Sequence, residues 1–218
     1  MEYETEEQQV EALKEWWAEN GRAVITGVVL GGAVIGGWKF WENRQESQAV
    51  AASDAFSRTL EAINASNTDE AIKLADELQD DQPSALYSAY SNMAAARAAV
   101  EQGDLADAAS RLEWVAKNAP QDDVVLIAKV RLARVKGAAG DSSAGLASLP
   151  KSFPEAFTGL VEEARGDLLI QSGDEDGARS AYEAAQASQF VANRDGLTMK
   201  LNELALPAAE TEAAESSS

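Results

Sequence analysis

The chain has 218 residues, with 37 Asp plus Glu against 18 Lys plus Arg, a formal net charge of −19, and neither histidine nor cysteine. Zinc-finger ligation, thiolate nucleophiles, disulfides and imidazole bases are therefore excluded, and so acidic a surface repels the phosphate backbones of nucleic acids. Its 45% hydrophobic content nonetheless suffices for a core, which predicts one or two folded domains.

Residues 1–22 form an acidic tail with seven Glu and, as cations, Lys14 and Arg22. Val10, Leu13 and Trp17 share one face among Glu and Gln, the pattern of a short amphipathic helix at a lipid surface. Residues 23–41 then read AVITGVVLGGAVIGGWKFW, nineteen residues with Lys39 as the one charge. At about 1.5 Å per residue such a helix matches a hydrocarbon core of about 30 Å. Trp16 and Trp17 before it, and Trp38 and Trp41 at its end, suit the two interfaces of a bilayer. Each glycine in it would cost roughly 1 kcal/mol against Ala in a water-soluble helix, whereas glycine is ordinary in lipid. The acidic tail lacks the basic n-region of a secretory signal, so the segment reads as a transmembrane helix that stays in place. Gly27 with Gly31 and Gly32 with Gly36 are spaced for close approach of a second helix, a homo-oligomer included. Lys14 and Arg22 on one side balance Lys39 and Arg44 on the other, so basic residues do not orient the span.

Residues 42–206 carry helical signals only: alanine-rich stretches, no period-two alternation, and punctuation by Gly-Asp pairs and prolines. Gly103-Asp104, Gly140-Asp141 and Gly173-Asp174 lie 37 and 33 residues apart, and Ser66-Asn67 stands 37 residues before the first. Five residues into each turn comes a small residue, Ala71, Ala108, Gly145 or Ala178, and four further on Ala75, Leu112, Leu149 or Tyr182. This is the spacing of the second helix of a tetratricopeptide repeat, with Pro83 and Pro120 at the repeat's closing position. The units run over about 45–83, 86–120, 122–150 and 156–188. Pro150 and Pro154 shorten the third, and nothing between Trp41 and Ile63 breaks the helix that enters the first. A final helix over 195–206, with Leu197, Met199, Leu201, Leu204 and Leu206, covers the open end, and residues 207–218 are expected to be disordered. The fold class is thus all-α: one N-terminal transmembrane helix followed by a tetratricopeptide-repeat-like α-solenoid.

The run VEALKEWWAENGR, the Gly-rich span ending GWKFW, VRLARV (Val130 to Val135) and ARGDLLIQSGDEDGARSAYEAA (Ala164 to Ala185) together resemble the YfgM family of ancillary Sec translocon subunits. The similarity covers nearly the whole chain. It implies a single-pass bacterial inner-membrane protein with a cytoplasmic N-terminus and a periplasmic repeat domain. As partners it implies the SecYEG channel, the membrane-anchored periplasmic chaperone PpiD and secretory clients.

In such a solenoid the first helix of each unit lines a groove suited to peptide. Projecting back from the turns gives Tyr90, Met93 and Arg97, then Ile127, Val130 and Arg134, then Leu160, Glu163 and Asp167 as groove candidates. An enzyme would have to rely on Glu162, Glu163 and Asp167, but carboxylates on one helix do not make the opposed pair that hydrolysis needs. Gly173-Asp174-Glu175-Asp176-Gly177 lacks the calcium-loop rhythm and reads as a turn. No catalytic residue, metal or cofactor is expected. The function that follows is a membrane-anchored binding protein linking export to periplasmic chaperones; the alternative is a self-associating envelope scaffold unrelated to secretion.

Overall fold

A computed structural model describes residues 6–82 and 86–204. The chain divides into two compact units, Met1–Ala51 and Ala52–Ser218. Among the described residues the regular structure is entirely helical.

Helix α1, Glu6–Asn64, runs through the candidate span without a break. Residues 8–22 belong to this same helix and not to a separate short amphipathic one. At the Asn20-Gly21 step, which stays helical, Asn20 Nδ2 donates to the Trp16 carbonyl at 3.0 Å and the Trp17 indole lies against Gly21. Within the first unit the apolar side chains of the span find no protein to pack on: Val28, Leu30, Val34 and Ile35 are all at least 61% exposed. A helix this long and apolar is able to cross a membrane, and hydrocarbon is the surrounding that removes such side chains from water. The rings of Trp38 and Trp41 lie 5.7 Å apart, tilted by 49°, at its far end, where Lys39 pairs with Glu42 at 2.8 Å.

The second unit is built from helix pairs, and its turns explain the repeat. It contains α2 (Thr68–Asp81), α3 (Leu86–Gln102), α4 (Leu105–Asn118), α5 (Asp122–Ala138), α6 (Ser142–Ser148), a 3-10 turn (Glu155–Phe157), α7 (Thr158–Ser172), α8 (Glu175–Ala187) and α9 (Arg194–Glu203). Gly103, Gly140 and Gly173 adopt φ of 83°, 88° and 82°, with Ser66 at 57° in the same role. That left-handed residue closes the first helix of each pair, and the N–H of the next residue reaches back to the carbonyl five positions earlier, as Asp104 does to Ala99 at 2.9 Å. The same Asn or Asp then caps the second helix. Asn67, Asp104, Asp141 and Asp174 each accept from the backbone N–H three residues on. Two residues thus end one helix and start another, which is why the Gly-Asp pair recurs.

Five residues after each turn start, Ala71, Ala108 and Ala178 are fully buried and Gly145 is buried, with Ala75, Leu112, Leu149 and Tyr182 buried four positions further on. A Cβ on Gly145 would lie 2.8 Å from the Ala133 carbonyl oxygen, so this position carries the crossing of α5 and α6. The core runs as three linked clusters, one around Leu112, Val115 and Leu132, one around Val130, Val161 and Leu168, and one around Tyr182 and Leu197. Helix α6 is short and ends before Pro150. In α9 Leu197 is fully buried but Met199 is 64% exposed. Met199 therefore does not help to close the end, because two residues along a helix turn a side chain away from its neighbour's face. Pro83, Leu206 and the 207–218 tail lie outside the described residues.

Candidate functional site

The first helices of successive pairs, α3, α5 and α7, neighbour one another, and the chemistry of the second unit is concentrated on them. Between α3 and α5 lies a cleft of about 250 Å³ lined by Met93, Ala96, Val100, Leu112 and Val135, with Arg97, Arg131 and Arg134 around it. Arg97 Nε reaches Glu101 at 2.9 Å, an exposed pair along one helix. Arg134 approaches Asp167 of α7 only to 3.8 Å. Desolvation, followed by the charges of Arg97 and Arg134, holds Arg131 below its ordinary value.

Asp167 is the hinge of a second polar group. It accepts from the Tyr182 hydroxyl of α8 at 2.9 Å and from Lys200 of α9 at 2.7 Å, and Lys200 also reaches Glu163 at 2.8 Å while lying 5.5 Å over the Tyr182 ring. Burial pulls the Lys200 ammonium down, but hydrogen bonds to Asp167 and Glu163 outweigh it and leave the group raised. Burial pushes the Tyr182 phenol up strongly, helped by the charge and hydrogen bond of Asp167. Glu162 pairs with Arg165 at 2.9 Å. All three carboxylates that an enzyme would need are thus tied to cations, and Glu163 and Asp167 fasten α7 to α8 and α9.

Of the groove residues expected from the sequence, Met93, Arg97 and Arg134 line one cleft, and Arg134 continues to Asp167 and Glu163. Tyr90 joins Phe56 and Tyr87 in an aromatic group with centroids 5.7–6.3 Å apart. Ile127 and Leu160 are partly buried against the core. Val130 is 1% exposed and packs with Leu126, Val161 and Leu168, so it is a core residue and not a groove one. On α5 the cleft takes Arg131 in place of Val130, beside Arg134, which a reading of VRLARV as i, i+3 arginines on one face would have found. Tyr182 and Lys200 were missed because their partners lie on other helices, Asp167 of the preceding helix for Tyr182 and Glu163 and Asp167, 37 and 33 residues away, for Lys200.

A second cleft of about 700 Å³ opens between the start of α5 and the Pro150–Phe157 segment, lined among others by Leu126, Lys129, Phe153 and Phe157. In the span, a Cβ on Gly27, Gly31, Gly32 or Gly36 would meet nothing within 4 Å. These glycines leave an open strip on α1.

A family model described as a tetratricopeptide repeat-like domain matches residues 14–206. The chain is 32% identical over 205 residues to a protein of Escherichia coli (strain K12) named ancillary SecYEG translocon subunit, covering 94% of this chain and 98% of that one. It is 30% identical over 201 residues to a protein of the same name from Haemophilus influenzae, covering 91% and 97%. A third of that name, from Aggregatibacter actinomycetemcomitans, is 24% identical over 199 residues. No solved structure matches the chain.

Proposed function

The chain belongs to the YfgM family of tetratricopeptide repeat-like ancillary translocon subunits, and on that premise we propose that it is a membrane-anchored accessory of the Sec translocon whose repeats bind polypeptide. Helix α1 holds it in the inner membrane beside the channel, with residues 1–22 cytoplasmic and the repeat unit periplasmic. The repeat unit contacts secretory chains as they emerge and passes them to periplasmic chaperones, a PpiD-like partner among them. The observation that carries this reading is the pairing of an unpartnered apolar helix with a helix-pair stack whose first helices bear a cleft, in a chain matching those relatives over almost its full length.

A binding role fits the chemistry better than turnover. The carboxylates of α7 are engaged with Arg165 and Lys200, so no opposed acid and base face each other across a cleft there. Photo-crosslinkers placed along 23–41 and at Arg97 and Met93 test the proposal. Adducts to channel subunits from the span, and to chaperone or secretory chains from the cleft, are expected; adducts to neither would defeat it.

The open strip of Gly27, Gly31, Gly32 and Gly36 favours a second reading, self-association within the membrane as an envelope scaffold. Replacing Gly31 and Gly36 by Ile separates the two. Loss of a homodimer with channel copurification unchanged supports the translocon role, whereas a homodimer lost in a chain that does not copurify with the channel even when unmodified supports the scaffold.

A further inference from the structure

We propose that the cleft between α3 and α5 is a docking site for an acidic polypeptide segment, its carboxylates meeting Arg97, Arg131 and Arg134 while one apolar side chain sits between Met93, Val100 and Val135. The proposal rests on the polypeptide-binding reading above and names the chemistry of the partner.

In a chain of net charge −19, three guanidinium groups surround one small apolar cleft. Their own carboxylate partners are few. Arg131 has no carboxylate within ion-pair distance among the described residues. The Arg97–Glu101 pair has side chains 78% and 58% exposed, a setting in which an ion pair contributes little. Asp167 already accepts from Tyr182 and Lys200 and stands 3.8 Å from Arg134. Besides the desolvation that burial imposes on Arg131, the charges of Arg97 and Arg134 act against its own, and an incoming anion would relieve that repulsion.

Guanidinium forks bind carboxylates bidentately, and the apolar floor demands a hydrophobic anchor alongside them. Val100, 40% exposed at the cleft, gives that anchor a surface to cover. A nucleic acid offers the charge without the anchor, and its long phosphate backbone would be repelled by the rest of the surface. A short acidic segment feels mainly the local arginines, because charges beyond about 8 Å are screened at physiological salt. The chain's own 205–218 segment, with Glu210, Glu212 and Glu215, is the competing occupant.

The test uses the full chain in lipid nanodiscs and a fluorescein-labelled twelve-residue peptide of Glu, Leu, Phe and Ala, read by anisotropy. Two control peptides replace Glu by Lys, or Leu and Phe by Ser. The acidic peptide should bind, both controls should fail, and affinity should fall with added salt. Arg131→Gln should weaken it by about tenfold, the scale of one charge-assisted hydrogen bond, and Val100→Ser should weaken it without altering helix content. Equal binding of the Glu and Lys peptides, no binding of the acidic one, or indifference to Arg131→Gln would overturn the proposal. So would binding that appears only once residues 205–218 are removed, since the tail would then be the occupant. Channel copurification scored on the same preparations keeps the two readings apart. Its persistence when the peptide fails sinks the docking site alone, and its absence from the unmodified protein sinks the translocon role.

Discussion

Gly166→Ala tests the helix packing on which the repeat unit depends. A Cβ at position 166 of α7 would overlap the Tyr182 ring, lying 2.9 Å even from Cζ. The ring has little room to retreat: Tyr182 is 3% exposed, and its hydroxyl is held by Asp167 at 2.9 Å. Replacing Gly by Ala inside a helix gains about 1 kcal/mol from propensity. Overpacking a close contact costs about 1–3 kcal/mol, and displacing a hydroxyl from a charged acceptor about 1.5–3 more. The balance is a loss of about 1.5–5 kcal/mol, against the sign that helix propensity alone would give. In a Tyr182→Ala background, itself about 3–5 kcal/mol less stable, the clash is gone and Gly166→Ala should stabilise by up to about 1 kcal/mol. Urea unfolding of the full chain in detergent, followed by circular dichroism, gives the four corners of this cycle. Hydrogen exchange in α7 and α8 localises the effect, since helix-repeat stacks open locally. Stabilisation by Gly166→Ala in the unmodified chain, or an equal effect in both backgrounds, would refute the packing argument.

Arg111 is 7% exposed and binds Asp76 at 2.8 Å, Asp107 at 2.7 Å and the fully buried Asn92 at 3.2 Å, tying α2, α3 and α4 together. Arg111→Met should cost about 2–3 kcal/mol in urea unfolding, below the full penalty for breaking a buried pair because Asp76 is half exposed. Ser91 is fully buried and its hydroxyl finds no hydrogen-bond partner among the described residues, so Ser91→Ala should stabilise by about 1 kcal/mol in the same assay. Tyr182 and Lys200 both bind their protons more tightly than the ordinary values of 10.0 and 10.5. Their contribution is therefore complete below about pH 10 and lost as pH rises beyond it. Urea midpoints measured between pH 8 and 11 should fall at the alkaline end more steeply in the unmodified chain than in Tyr182→Phe.

The helix-pair architecture was legible because its signals are local. A Gly-Asp pair that ends one helix and caps the next lies within two residues, and the small position follows five residues on. The span was legible because nineteen residues carry one charge. Side-chain networks across helices were not. Arg111 meets Asp76 from 35 residues away and Lys200 meets Glu163 from 37, separations that no helical period encodes. The groove reading failed at Val130 for a finer reason. Neighbouring positions on a helix point about 100° apart, so a phase carried back from the turn with an error of one residue exchanges a buried valine for the adjacent Arg131. The three arginines are visible in the sequence as residue types, and only the packing of α3 on α5 shows that they share a cleft.

The central claim is that the helix-pair stack works outside the inner membrane while α1 holds it there. Protease added to intact spheroplasts, with fragments identified by antibodies to each end, tests this most directly. The account predicts that the 52–204 region is digested while the membrane is whole and that the N-terminal residues survive until it is ruptured. Protection of the repeat region in intact spheroplasts would contradict it.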